Sequence, residues 1–266
     1  MKEVYQALAE LPRTGTSAAL CTIITSQGST PRKAGAKMLV YEDGSIVGTI
    51  GGGEIEGRVI QEAVNAIQTG ESRIRSYDLI DPQQGDPGVC GGTLDVFIEP
   101  LTQPPDLVVV GGGHVGRAVV FLAKWLGFRV ILSDDREQYC TPDYAPEADE
   151  YIHCKLEELP DRYPFSADTA VVLATRNNQV DIRGLPEILA APSSYIGVIS
   201  SRRRWKLTRD ELIQAGITEN DLDSIHAPIG LDINADTPEE IALSILAEVI
   251  QSIRGGSGIS LSQTKK

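Results

Sequence analysis

Residues 107–136, LVVVGGGHVGRAVVFLAKWLGFRVILSDDR, narrow the fold more than any other part of the chain. A β-branched run ends on glycines, a helical pattern follows, and a second apolar run ends on an acid. Gly111, Gly113 and Gly116 stand in GxGxxG spacing, and each has a mechanical reason. The first permits a tight turn, the second lets a pyrophosphate approach the backbone, and the third lets helix and strand pack closely. The helix start offers free N–H groups to an anion. His114 lies within the loop and is expected to line the site. Asp134 ends the second strand, placed to accept hydrogen bonds from ribose hydroxyls and to repel a 2′-phosphate. In this strand–loop–helix–strand–acid setting the pattern is a dinucleotide-binding fingerprint of the Rossmann type. A fold does not fix a function, so the same sheet with its site turned to another use is the alternative.

The rest of the second half agrees with that sheet. TAVVLAT (169–175) and SSYIGVIS (193–200) are further apolar runs, and helical patterns such as Leu207 to Ala215 alternate with them. Continuous apolar strands alternating with helices imply a parallel sheet covered on both faces. In DTPEEIALSILAEVIQSI, Thr237 is the expected cap, Pro238 the first helical residue, and Glu240 completes a capping box. Ile241, Ile245 and Val249 form one apolar stripe. His153 and His226 lack a companion acid at a telling spacing, so no catalytic residue is assigned.

EPLTQPPDL (99–107) is the one seam, which puts an α+β domain at 1–103 and the Rossmann-like domain at 104–254. The polar stretch 255–266 reads as a flexible tail. The fold class is therefore α/β: a small N-terminal α+β domain followed by a doubly wound parallel sheet. In the first domain SAALCTIITS (17–26), KMLVY (37–41), SIVGTI, RIRSYDLI and TLDVFIE read as strands, and EIEGRVIQEAVNAIQTG as a helix.

A net charge of −13 makes nucleic acid and anionic membranes poor partners, and no apolar run approaches the roughly 20 residues that span a bilayer. The acidic, amphipathic N-terminus is no signal peptide, so the cytoplasm is the expected compartment. Cys21, Cys90, Cys140 and Cys154 show no CxxC pairing or repeated spacing, which argues against a disulfide framework or a structural zinc site.

Three polar, glycine-laden loops stand out in the first domain. SQGSTPRKAGAKM (26–38) carries Arg32, Lys33 and Lys37, suited to a phosphate or similar anion. GTIGGGEIEG (48–57) sets Gly52 and Glu54 at a helix start, where capping by acids and a ligand role are both open. GVCGG (88–92) leaves Cys90 between glycines, with Gly91 and Gly92 allowing a ligand close to the backbone. An accessible thiol near cations or a helix start can become a thiolate nucleophile or a soft metal ligand.

Taken in order, these loops resemble the XdhC/CoxI family of xanthine dehydrogenase accessory factors. GSTPRKAGAKMLVYEDGSIVGTIGGGEIEG and GVCGGTLDVFIEPL are similar to its N-terminal domain. The 107–136 segment, SRRRW (201–205) and APIGLDINADTPEEIALSILAE (227–248) are similar to its C-terminal Rossmann domain. Ser200 and Asn234 stand where the family pattern has glycine, and TRNNQVD (175–181) replaces a segment richer in His and Asp.

The resemblance implies a protein that binds molybdenum cofactor (a molybdopterin), protects it, and delivers it to an apo molybdenum hydroxylase of the xanthine dehydrogenase type. It implies that Cys90 faces the molybdenum, as the metal-proximal sulfur. The cofactor's phosphate suits the loop bearing Lys33 and Lys37, with Glu54, Gly52, Gly91 and Gly92 around it. Gly111, Gly113, His114, Gly116 and Asp134 are the expected nucleotide residues, for NAD(P) or another adenine compound. A cysteine desulfurase and a second copy of the chain, as a homodimer, are the further partners. Such a protein is a cofactor-binding chaperone more than a turnover enzyme. The rival reading is an NAD(P)-dependent oxidoreductase, and a scaffold holding neither ligand is a third.

Overall fold

A computed structural model describes residues 1–14, 16–78, 91–101 and 104–264. It divides into two compact units, Met1–Gln103 and Pro104–Lys266.

The first unit is a five-stranded antiparallel sheet between two helices. Its strands are β1 (Ala18–Gly28), β2 (Lys37–Tyr41), β3 (Ile46–Gly48), β4 (Arg73–Asp78) and β5 (Gly92–Leu101), in the order β3-β2-β1-β5-β4. Helix α2 (Gly53–Thr69) covers one face, where Cys21, Ile23, Met38 and Val96 meet Val59 and Ala63. Helix α1 (Lys2–Thr14) covers the other, where Val4 and Leu11 meet Ala18 and Leu39. The strand alternation supplies both cores, because neighbouring side chains point to opposite faces. Buried in this way, the Cys21 thiol is pushed up to about 12 and is packing material.

The second unit is a Rossmann sheet with all five strands parallel. They are β6 (Asp106–Val110), β7 (Arg129–Asp134), β8 (Glu150–His153), β9 (Ala170–Leu173) and β10 (Tyr195–Val198), in the order β10-β9-β6-β7-β8. Leu107 and Val109 of β6 face α3 (His114–Trp125) and α8 (Pro238–Arg254). Val108 and Val110 face the opposite core, shared with α5 (Asn178–Ala190) and α6 (Arg202–Gln214). Both faces being covered accounts for the unbroken apolar strands. Helices α4 (Leu159–Arg162) and α7 (Glu219–Asp223) complete the unit. β6 is central, with β7 on one side and β9 on the other. The chain reverses its winding there, and such switch points open a crevice at the carboxyl ends of the strands.

The expected strands and the last helix form where the patterning puts them, and Thr237 with Glu240 closes the capping box of α8. Other expectations need correction. Residues 175–181, where the chain departs from the family pattern, run into a helix: Asn177 Oδ1 accepts from the N–H groups of Gln179 and Val180 at 3.1 and 3.2 Å and starts α5. Helix α6 starts at Arg202, capped by Ser201, so SRRRW forms its first turn instead of preceding it. Asn234 stands in for the family's glycine at φ 55°, a left-handed conformation that asparagine tolerates better than most residues. Among the described residues no helix is long and apolar enough to cross a membrane.

Candidate functional site

The glycine loop of the second unit is built by close backbone approach. A Cβ on Gly116 would lie 1.8 Å from the Gly111 carbonyl oxygen, and one on Gly111 would lie 2.4 Å from that of Ala174. Gly113 differs, since nothing lies within 4 Å of the place its Cβ would take. It is the N-cap of α3 and offers no side-chain cap, so the helix's first N–H groups find no side-chain acceptor in it. His114, the first residue of α3, is exposed.

Asp134 does something other than wait for a ribose. It is buried, and its four acceptor positions are all taken. Oδ2 accepts from Gly112 N and Arg136 Nη2, each at 2.8 Å. Oδ1 accepts from Arg136 N and Nε, each at 2.9 Å. A carboxylate offers about four lone-pair sites, so a ribose diol finds none free. The expectation that Asp134 reads ribose hydroxyls and repels a 2′-phosphate gives way to this arrangement. The carboxylate pins the glycine loop, and Arg136 compensates its charge.

A cleft of about 100 Å³ opens beside it, walled by the ends of β6 to β9 and the start of α5. Its basic side chains are Arg136, Lys155, Arg176 and Arg183, and its acids are Asp134, Asp135 and Glu157. Arg176 holds Asp135 with two hydrogen bonds, and this pairing keeps the Asp135 carboxyl below its ordinary range. Cys154, also on the wall, has its thiol raised by burial and is no thiolate. Sequence reasoning missed all four cations. Arg136 and Arg176 each lie just beyond a strand's carboxyl end, which is the signal that could have found them.

Arg204, the last arginine of SRRRW, is turned inward. Its Nη2 donates to Asp181 Oδ2 at 2.6 Å and to Thr175 Oγ1 at 3.2 Å, while the Thr175 hydroxyl donates to the other Asp181 oxygen. Burial raises the Asp181 carboxyl even so, against the opposing hydrogen bonds and the guanidinium charge. Arg202 and Arg203 are exposed.

In the first unit the three glycine loops meet at one end of the sheet. A Cβ on Gly92 would lie 2.4 Å from the Gln27 carbonyl oxygen and 2.5 Å from that of Ser29. Gly28 approaches Gly91 as closely, with its Cβ position 2.7 Å from the Gly91 oxygen. The second loop joins them where Gly51 meets Pro31, its Cβ position 2.5 Å from Pro31 Cγ. Gly51, Gly52 and Gly53 have φ of 146, 80 and 69°, a path that only consecutive glycines follow without strain. The Thr30 methyl Cγ2 lies 2.8 Å from the place a Gly92 Cβ would take, and Thr30 Oγ1 is buried with no hydrogen-bond partner among the described residues.

The other expected residues of this unit divide. Lys33 is exposed on the loop. Lys37 Nζ donates to Thr22 Oγ1 at 2.9 Å. Glu54 is partly exposed on the first turn of α2, at 3.8 Å from Arg58. Its neighbour Glu56 settles the capping question for itself: Oε2 accepts from Thr49 Oγ1 at 2.5 Å and from the Ile50 and Gly52 N–H groups at 3.2 Å each. Glu56→Ala is therefore expected to cost about 1–3 kcal/mol, read as a lower Tm in thermal unfolding; an unchanged Tm would show that the loop holds its path without this carboxylate. Cys90 lies outside the described residues, and among those described no group of three or more His, Cys, Asp or Glu side chains could hold a metal ion.

Comparison with known proteins covers both units. Residues 107–249 match the XdhC Rossmann domain, and residues 11–78 match the XdhC and CoxI family. The protein YqeB of Escherichia coli K12 is 36% identical over 252 residues, covering 93% of this chain and 46% of that one. A probable xanthine dehydrogenase subunit of Bacillus subtilis 168 is 32% identical over 160 residues, covering 60% of this chain and 46% of that one. The molybdenum cofactor insertion chaperone PaoD of E. coli K12 is 26% identical, covering 93% of this chain and 87% of that one. The chain thus spans about half the length of the first two relatives. A crystal structure titled as a xanthine dehydrogenase from Bacillus halodurans shares the fold at a TM-score of 0.51 and 24% identity, covering 97% of each chain.

Proposed function

The chain belongs to the XdhC and CoxI family, and we propose on that basis that it is an accessory factor of a xanthine dehydrogenase-type molybdenum hydroxylase. On this reading it binds molybdenum cofactor, shields it, and passes it to the apo-hydroxylase. The supporting observation is the close backbone meeting of Gly28 with Gly91 and Gly92 and of Gly51 with Pro31, beside Thr30, whose buried hydroxyl lacks a partner among the described residues. A polar atom left so is costly unless a ligand satisfies it, and backbone this bare lets a planar, polar group come close.

The residues fit the cofactor's chemistry. When bound, the cofactor supplies a thiophilic metal, a pterin rich in N–H donors, and a phosphate. Cys90, next in sequence to Gly91, is the soft ligand of the set. Glu54 is an acceptor for pterin N–H groups, Gly52, Gly91 and Gly92 leave the backbone open, and Lys33 balances the phosphate. Lys37, engaged with Thr22, can support that loop and contribute its charge. The crevice of the second unit holds an adenine nucleotide. The named relatives support the hydroxylase partner in this reading. A cysteine desulfurase and a second copy of the chain as further partners, and the cytoplasm as the place of action, follow from the family resemblance alone.

The test is metal and pterin content after anaerobic isolation from a host that makes the cofactor. The wild-type chain is expected to carry molybdenum and pterin in equal amounts, and Cys90→Ala to lose most of the metal while keeping its Tm. A wild-type chain free of both, with the apo-hydroxylase filled normally in its absence, defeats the proposal. The cleft favours one second reading, an NAD(P)-dependent oxidoreductase, which predicts hydride transfer to a substrate upon nucleotide binding.

A further inference from the structure

We infer that the crevice of the second unit selects a nucleotide bearing a phosphate on its ribose edge, as in a 2′-phosphorylated dinucleotide, over one with a free ribose diol. The inference rests on the nucleotide reading of that crevice and specifies its ligand. Two independent observations support it. The carboxylate that would receive ribose hydroxyls is saturated, since Asp134 already accepts four N–H donors. A diol brings donors to a wall whose acceptor is occupied, whereas a phosphate brings acceptors to a wall with donors left over.

Those donors are identifiable. Arg136 reaches Asp134 through Nε and Nη2, which leaves its remaining Nη hydrogens available, and its guanidinium is steadied over the Tyr139 ring at 4.1 Å. Lys155 and Arg183 line the same cleft, exposed, and have no ion-pair partner among the described residues. Of the three acids on the wall, Asp134 and Asp135 are matched by Arg136 and Arg176. Glu157 is left against two unmatched cations, so the cleft is locally positive in a chain of net charge −13. Charge-assisted and fork-shaped donors of this kind are what phosphate recognition uses.

Isothermal titration of the full chain with adenosine 2′,5′-bisphosphate, adenosine 5′-monophosphate and inorganic phosphate tests this. The bisphosphate is expected to bind at least about tenfold tighter than the monophosphate, a difference of ~1.4 kcal/mol. Lys155→Ala/Arg183→Ala, on exposed positions, is expected to bring that ratio toward unity with Tm unchanged. Raising the salt concentration shrinks the ratio as well. Equal affinities, or a ratio that survives in the double variant, overturn the phosphate preference and leave a nucleotide site. Binding of neither nucleotide overturns the nucleotide reading too. Inorganic phosphate competing as well as the bisphosphate reduces the crevice to a simple anion site and also overturns the inference.

Discussion

Gly116→Ala is expected to destabilise the second unit by about 3 kcal/mol, lowering its Tm by roughly 6–12 °C. Alanine is the better helix former, so on propensity alone the change would help by about 1 kcal/mol. Packing decides the sign. The new methyl would lie 1.8 Å from the Gly111 carbonyl oxygen, and that oxygen belongs to backbone, which cannot swing aside as a flexible side chain can. Either α3 lifts from the sheet or the loop loses its turn. Gly113→Ala is the contrasting variant. Gly113 has φ −64° and its Cβ would point into open space, so the fold should change by no more than about 1 kcal/mol while nucleotide affinity falls. Thermal unfolding of the two variants side by side checks both halves, and an unchanged Tm in Gly116→Ala contradicts the close helix–strand approach.

Arg204→Met should be nearly as damaging, at about 3 kcal/mol, the lower end for removing one partner of a buried pair. The lower end applies because the Arg204 side chain is 27% exposed, whereas that of Asp181 is 1% exposed. The variant strands a carboxylate in the core with only the Thr175 hydroxyl beside it. Adding Asp181→Leu removes the stranded charge and should recover much of the loss, since apolar replacements of buried pairs are often neutral. The pH dependence gives a second readout. Burial already holds the Asp181 carboxyl above its unfolded value, and loss of the guanidinium raises it further. The native state then binds a proton where the unfolded chain does not. Arg204→Met should accordingly gain stability as pH falls through the folded pKa toward the unfolded one, and lose it as pH rises. Denaturant midpoints measured between neutral and mildly acidic pH check the sign, and a variant that weakens on acidification in that range contradicts it.

Much of the fold was legible because its signals are local. Apolar runs with glycine punctuation located the strands flanking α3, and a Thr-Pro-Glu-Glu start located α8. Helix α5 was not legible. Gly184 and Pro186 interrupt its pattern, and the reason for Gly184 is tertiary: a Cβ there would lie 2.1 Å from Leu156 Cγ. At the sites, the chain showed which residues could serve and not which were already engaged. Asp134 reads as a ribose acceptor, and Arg136 carries no signal, until their mutual hydrogen bonds are seen. Nor does SRRRW reveal that its last arginine faces Asp181. In the first unit the glycine loops were individually visible, but their meeting depends on long-range pairing of β1 with β5, which places Gly28 opposite Gly92.

The hydrogen bond from Gly112 N to Asp134 has a kinetic consequence. On the proposed nucleotide reading, a glycine loop held by its own carboxylate is fixed before the ligand arrives, so capture involves no ordering step and little entropy is lost from the backbone. Nucleotide association should then follow a single exponential whose rate rises in proportion to concentration, without the plateau that a closing loop imposes. Differences in affinity among ligands of this crevice would appear in how slowly they leave.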